Sequence, residues 1–261
     1  MRFKTMFTSG LLAFGLLASP ITQPAASATE FSTDQKAEIE KIMVDYLLEN
    51  PDVIRKVFGL LREQDAKREQ AAATERAEKA KLVLASKKTE IFNSDLDPVV
   101  GNANGDVTMV EFLDYNCGYC KRAFSNMLTL MEKDQNLRIV IKEWPVLGPQ
   151  SVEASLVAVA VQKTDPSKYW DFHKGMMTLR GQANKETALR VAEKIGLDRA
   201  KLETMMDDKE TLKPIEASYA LADELGLTGT PAYVVGEELI PGFVPVTTLE
   251  TMIEVARKKS S

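Results

Sequence analysis

The chain is poor in the residues from which most active sites are built. Its 261 residues hold two cysteines and a single histidine. That set cannot fill a four-ligand structural zinc site without carboxylates making up the difference, so no metal site is expected. Two cysteines cannot staple a disulfide-rich domain, and 14 glycines exclude a collagen-like repeat. There is no basic excess: 33 Lys and Arg stand against 38 Asp and Glu, a formal charge of −5, and nucleic acid is not the expected partner. No apolar run reaches the roughly 20 residues that span a bilayer. What is present, 44% apolar residues, suffices for one good core and a small second element.

Residues 1–28 read as an address. Arg2 and Lys4 give a positive start, an apolar stretch follows around Leu11, Leu12, Phe14, Leu16 and Leu17, and Ala26-Ser27-Ala28 supplies small residues for a signal peptidase. Ser9, Gly10 and Ser19-Pro20 interrupt the run, which argues against a membrane anchor. Cleavage after Ala28 and export to an oxidising compartment are expected.

The remaining chain changes character near residue 93. From Thr33 to about Glu90 it is charged, Ala-rich and helical in pattern. Ser32 or Thr33 can cap a first helix, whose Ile39, Ile42, Met43, Tyr46 and Leu47 form an apolar stripe. Asn50-Pro51 ends it. Asp52 then caps a second helix with Val53, Ile54, Val57, Phe58, Leu60 and Leu61 on a broad apolar face, followed by an all-polar stretch from Arg62 to Lys81. Two such helices enclose little apolar surface alone, so residues 29–92 are expected to be a homo-oligomerisation segment with a linker helix. The alternative is that they fold back on their own domain. From 93 to 261 the pattern is α/β: strands at Val107–Leu113, Leu137–Trp144, Ala232–Val235 and Leu239-Ile240, a helix after Cys117, a helical block at about 149–225, and a terminal helix from about Thr247 to Arg257.

Cys117-Gly118-Tyr119-Cys120 is the most informative feature. As a staple it would close a very short loop, worth only about 2 kcal/mol against about 3 for a 15-residue loop. A redox role has a direct physical basis. Cys117 lies where a strand delivers the chain to a helix start, so unpaired N–H groups and the helix dipole favour its thiolate. Cys120 follows one turn later on the same face, placed to resolve a mixed disulfide formed at Cys117.

In these residues the sequence resembles the thioredoxin superfamily, and specifically its DsbA-like branch with a helical insertion. The resemblance covers about residues 93–258. It is carried by the strand-C-x-x-C-helix unit, the helical block before the next strand, and Gly229-Thr230-Pro231-Ala232, which matches the family's cis-proline loop. The resemblance implies a thioredoxin fold preceded by an all-α segment, and the periplasm as location. It also implies a cis Pro231 and substrate binding by the Thr230 backbone beside Gly118 and Tyr119. A plain strand-entry turn is the alternative at Thr230-Pro231. Glu111 matches an acidic family position beneath the disulfide, where it would exchange protons with Cys120; a solvated strand carboxylate is the alternative, and Val110 and Phe112 on either side leave both open. Lys142 is a candidate charge partner for Glu111. Tyr119 stands where strongly oxidising members carry His, so a less oxidising disulfide is expected. His173 reads as a helix-face residue rather than a catalyst. Tyr169, Trp170 and Phe172 read as core, and Tyr115 as either substrate surface or packed loop.

The helical extension resembles that of the suppressor-of-copper-sensitivity proteins of the ScsC type. This implies a trimer, with a dimer as the alternative, that presents several Cys117 sites to one misfolded protein. The expected activity is protein disulfide isomerase with no cofactor beyond the Cys117/Cys120 pair, kept reduced by a membrane thiol reductase. The competing readings are a dithiol oxidase, and a copper-tolerance protein whose two thiolates bind Cu(I).

Overall fold

The computed structural model describes residues 31–260, and the expected export segment, residues 1–28, lies outside them. Helix α1 (Thr33–Glu49) starts at a capping box. The Ser32 hydroxyl accepts from the Gln35 N–H at 3.2 Å, and the Gln35 side chain accepts from the Ser32 N–H at 2.9 Å. The helix ends at Asn50, whose backbone and side-chain N–H groups both donate to the Tyr46 carbonyl. Pro51 then opens α2 (Pro51–Ser86). Asp52 is therefore not the cap of this helix. It lies in the first turn and pairs with Arg55 at 3.2 Å. The apolar and all-polar stretches expected as separate pieces form one continuous helix of 36 residues, because no proline follows Pro51 within it.

Packing divides the chain into Met1–Gln64 and Asp65–Ser261. In the first unit every residue of α1 is exposed, and so are Val57, Phe58, Leu60 and Leu61 of α2.

The second unit begins well before residue 93. Ala80 and Leu84 of α2 are buried, and the short helix α3 (Lys88–Phe92) buries Ile91 completely. Leu84 and Ile91 join Val110, Phe112, Val140 and Trp144 in one apolar core. The compact unit thus extends beyond the expected boundary at 92/93, since these side chains cover one face of the sheet.

That sheet comprises β1 (Val99–Gly101), β2 (Val107–Leu113), β3 (Leu137–Glu143), β4 (Ala232–Val235) and β5 (Glu238–Pro241), in the order β1-β3-β2-β4-β5. Strands β2 and β3 are parallel, and β4 runs antiparallel to β2. Both central strands are buried along nearly their whole length, as expected of apolar runs covered on both faces. Strand β1, which the sequence pattern did not mark, pairs antiparallel with β3. Its Gly101 has φ +75°, and a Cβ there would meet the Leu137 carbonyl oxygen at 2.6 Å.

Helix α4 (Gly118–Lys133) follows β2. Between β3 and β4 lies a helical insertion: α5 (Pro149–Thr164), α6 (Tyr169–Met177), α7 (Lys185–Lys194), α8 (Arg199–Met206) and α9 (Lys213–Glu224). These helices run from Pro149 to Glu224. Helix α10 (Val246–Ser260) closes the chain over the β2 and β4 side of the sheet. The larger core joins Met109 and Leu113 of β2 to α4, the insertion and α10. This is a DsbA-like thioredoxin fold with a helical segment before it. Among the described residues no helix is long and apolar enough to cross a membrane.

Candidate active site

The chain leaves β2 through an Asx turn. Asp114 is fully buried and its Oδ1 accepts from the Asn116 N–H at 2.7 Å and the Ser151 hydroxyl at 2.8 Å, while Oδ2 accepts from the Leu147 N–H at 2.9 Å. Asn116 ties this turn to the insertion. Its Nδ2 donates to Ser151 Oγ and the Ala183 carbonyl, both at 2.9 Å, and its Oδ1 accepts from the Ala183 N–H at 2.7 Å. These contacts fix the turn from which Cys117 emerges.

Cys117 is the N-cap of α4, with extended backbone angles, and Gly118 is the first helical residue. Its sulfur lies 3.2 Å from the Thr230 carbonyl oxygen. The thiol is held down to about 5. The Cys120 thiol beside it is the main cause, with the Thr230 side chain and the N–H groups of Cys120 and Tyr119 adding to it against burial. As a thiol Cys117 donates to the Thr230 carbonyl; as a thiolate it accepts from those donors. Cys120 is fully buried, and burial raises its thiol far above the ordinary range. The two sulfurs are therefore strongly unlike: one ionised at neutral pH, the other a thiol.

The Thr230–Pro231 peptide is cis. Pro231 is buried, Thr230 partly so. Gly118 and Tyr119 are exposed beside Cys117, and a Cβ at Gly118 would meet nothing within 4 Å. The Tyr119 ring lies 6.2 Å from that of Phe243, centroid to centroid, with the Arg122 guanidinium 5.2 Å above it.

Glu111 is buried, and neither carboxylate oxygen has a hydrogen-bond partner among the described residues. Burial, and secondarily the charge of Cys117, push its carboxyl up to about 8. Lys142 is not its partner. In the parallel β2–β3 register Glu111 stands opposite Ile141, and Lys142 stands opposite Phe112, so the lysine projects to the other face. There Lys142 pairs with Asp97 at 2.5 Å and donates to the Glu90 carbonyl at 2.6 Å.

Tyr115 is buried too, which excludes it from a substrate surface. Its hydroxyl donates to Glu143 Oε1 at 2.8 Å, as does that of Tyr169 at 2.9 Å, while Ser155 donates to Oε2 at 2.7 Å. Despite these donors burial lifts the Glu143 carboxyl to about 7. His173 lies on α6, as a helix residue, and is fully buried. Its Nδ1 lies 3.1 Å from the Tyr115 hydroxyl, and its ring lies near-parallel to those of Tyr169 and Trp170. Burial lowers it to about 3, so the ring is neutral. Since the Tyr115 proton is engaged by Glu143, the assigned tautomer carries its proton on Nδ1.

The sequence marks Asp114-Tyr115-Asn116 as a turn but assigns no role at the site to Asp114, Asn116, Glu143 or Tyr233. The Asp-x-Asn spacing before Cys117 is a readable turn signal; Glu143 and Tyr233 depend on strand registers that sequence does not reveal. Among the described residues no group of three or more His, Cys, Asp or Glu converges as a metal site.

Comparison with known proteins agrees with this geometry. The family described as "DSBA-like thioredoxin domain" matches residues 108–254, and that described as "Copper resistance protein ScsC N-terminal domain" matches residues 35–68. Disulfide bond formation protein D of Bacillus subtilis (strain 168) is 28% identical over 167 residues, 60% of this chain and 75% of that protein. A thioredoxin-like oxidoreductase from Silicibacter pomeroyi DSS-3 superposes with a TM-score of 0.63 at 43% identity, over 66% of this chain and 98% of that one. Proteus mirabilis ScsC in a transitional conformation superposes with a TM-score of 0.63 at 25% identity, over 88% of this chain and 98% of that one.

Proposed function

The chain belongs to the DSBA-like thioredoxin domain family as a thiol-disulfide oxidoreductase, and we propose that it acts in the periplasm as a protein disulfide isomerase. The observation that carries the chemistry is the unlike sulfur pair: a Cys117 thiolate at the head of α4 and a buried Cys120 thiol one turn behind it. The Cys117 thiolate attacks a substrate disulfide, forming a mixed disulfide and releasing one substrate thiolate. That thiolate attacks elsewhere in the substrate, and the last substrate thiolate to form a bond displaces Cys117 unchanged. Where this stalls, Cys120 passes its proton to Glu111 and attacks the Cys117 sulfur. The resulting Cys117–Cys120 disulfide then requires a membrane thiol reductase. The backbone at Thr230, with Gly118 and Tyr119, would hold the substrate strand beside the sulfurs.

The isomerase assignment draws on the first unit. Leu48 is 73% exposed and Ile42 61%, in a run of uncovered apolar side chains that a second and third copy of this chain would bury. A trimer would place several Cys117 sites near one substrate and raise their effective concentration. The test is refolding of a scrambled-disulfide protein by the full mature chain and by a chain beginning at Asp65, which retains Leu84 and Ile91 in its core. The shorter form is expected to be monomeric, to keep dithiol exchange and to lose most isomerisation. Equal isomerisation by both would overturn the assignment.

A dithiol oxidase is the second reading, favoured by the depressed Cys117 thiol: stabilising the reduced form makes a disulfide more oxidising. Cysteines found mostly oxidised in cells would support it. Cu(I) binding by the two thiolates rests on their softness and on the match at residues 35–68. Failure of the reduced protein to take Cu(I) from a weak chelator would remove it.

A further inference from the structure

Glu111 and Tyr233 stand directly opposite each other in the antiparallel β2–β4 pair. Side chains alternate along both strands. Met109, Leu113, Tyr233 and Val235 enter the core that contains Cys117 and Cys120, whereas Val110, Phe112, Ala232 and Val234 enter the other. By the same parity Glu111 and Tyr233 are neighbours on the cysteine face. Each is only 1% exposed. The two Glu111 oxygens and the Tyr233 hydroxyl all lack a hydrogen-bond partner among the described residues. Unpaired polar atoms are rare in protein interiors and costly, and three at one register position call for a common explanation.

The surroundings leave these groups to one another. On the β3 side Glu111 meets Ile141. From α4 it is within electrostatic reach of the two sulfurs, and Lys142 and Asp97 are paired with each other on the opposite face. The Tyr233 phenol feels burial first, and then the charges of Glu111, Cys120 and Cys117. It is within electrostatic reach of every group that changes protonation in the resolving step, and burial keeps its own proton in place.

We propose that Tyr233 is the positioning residue for Glu111, its hydroxyl donating to the carboxylate before proton pickup and accepting from the carboxylic acid afterwards. A hydroxyl can serve both states, because it is donor and acceptor at once. The two are not hydrogen-bonded to each other in the structure, so the Glu111 side chain, which no hydrogen bond holds among the described residues, must turn towards the Tyr233 hydroxyl. The inference rests on the reading of Glu111 as the base for Cys120. With substrate sulfur bonded to Cys117, the Cys120 proton moves to Glu111 and the Cys120 sulfur attacks that of Cys117. The Cys117–Cys120 bond forms and the bond to substrate breaks. The substrate sulfur leaves with the electron pair and takes a proton from water; the protein pair is oxidised and the substrate sulfurs are reduced. Tyr233 changes hydrogen-bond direction without losing its proton.

The test uses the full chain as wild type, Tyr233→Phe, Glu111→Gln and the double variant. It reads the pH dependence of mixed-disulfide resolution and the Glu111 carboxyl titration by carbon-13 NMR. In Tyr233→Phe the titration is expected to move upward by about one pH unit, with up to roughly tenfold slower resolution near neutral pH. The double variant should resolve no more slowly than Glu111→Gln alone. Wild-type resolution by Glu111→Gln would overturn the base reading and this inference with it. Slow resolution by Glu111→Gln, with Tyr233→Phe unchanged or fully additive, would overturn the Tyr233 assignment alone.

Discussion

The Cys117 sulfur lies 3.2 Å from the carbonyl oxygen of Thr230, a residue 113 positions further along the chain. The contact exists because the insertion returns the chain to β4, which pairs with the strand that delivers Cys117. A carbonyl oxygen repels a thiolate, so something else must hold the Cys117 thiol down to about 5. A helix terminus supplies typically 0.3–1 kcal/mol, roughly half a pKa unit or so. That is too little for a fall from 9.0 to about 5, and the Cys120 thiol is the larger contributor.

Replacing Cys120 by Ala should therefore raise the Cys117 titration by about one unit or more, the worth of one hydrogen bond to a charged acceptor. Thiolate absorbance or alkylation rate against pH measures it. An unmoved midpoint would assign the shift to the backbone N–H groups and the Thr230 side chain instead.

Glu111 links the site to stability. Its folded carboxyl is raised to about 8 from 4.5, so the folded state prefers the proton. Its contribution is complete below about 4.5 and is lost as pH rises towards 8. In the reduced protein Glu111→Gln should be more stable than wild type at pH 8, by on the order of a few kcal/mol, and about equal at pH 4. Urea unfolding at the two pH values checks this.

Asn116→Ala removes three hydrogen bonds between the active-site turn and the insertion. A loss of about 1–3 kcal/mol is expected. Amide exchange should quicken around Ala183, while distant strands such as β1 stay protected.

Tyr115→Phe deprives Glu143 of one donor and His173 of its only hydrogen-bond contact among the described residues. Leaving buried polar atoms unpaired should cost about 1–3 kcal/mol. Since Tyr115 makes no contact with substrate in this account, Cys117 alkylation should keep its pH midpoint.

Much of this fold was legible because its central strands are buried on both faces and read as unbroken apolar runs, and because proline and glycine mark the breaks. The C-x-x-C pair and the Thr230-Pro231 loop were legible as local motifs. What sequence hid is parity and register. Lys142 and Glu111 look like neighbours on adjacent strands, yet one step of alternation sends them to opposite faces. Tyr233 becomes a neighbour of Glu111 only through a pairing across the whole insertion. The packed end of α2 was hidden for another reason: Ala80 sits in the same Ala-and-charge composition as the solvated turns before it, and the Leu82-Val83-Leu84 run that follows is too short to show which side is covered, since Leu84 is buried while Leu82 is exposed.

The most direct measurement is non-reducing mass spectrometry of Cys120→Ser after mixing with a disulfide-containing protein. Without its resolving sulfur the chain should accumulate a mixed disulfide at Cys117, and Cys117→Ser should form none. No adduct at Cys117, or undiminished exchange by Cys117→Ser, would contradict the account.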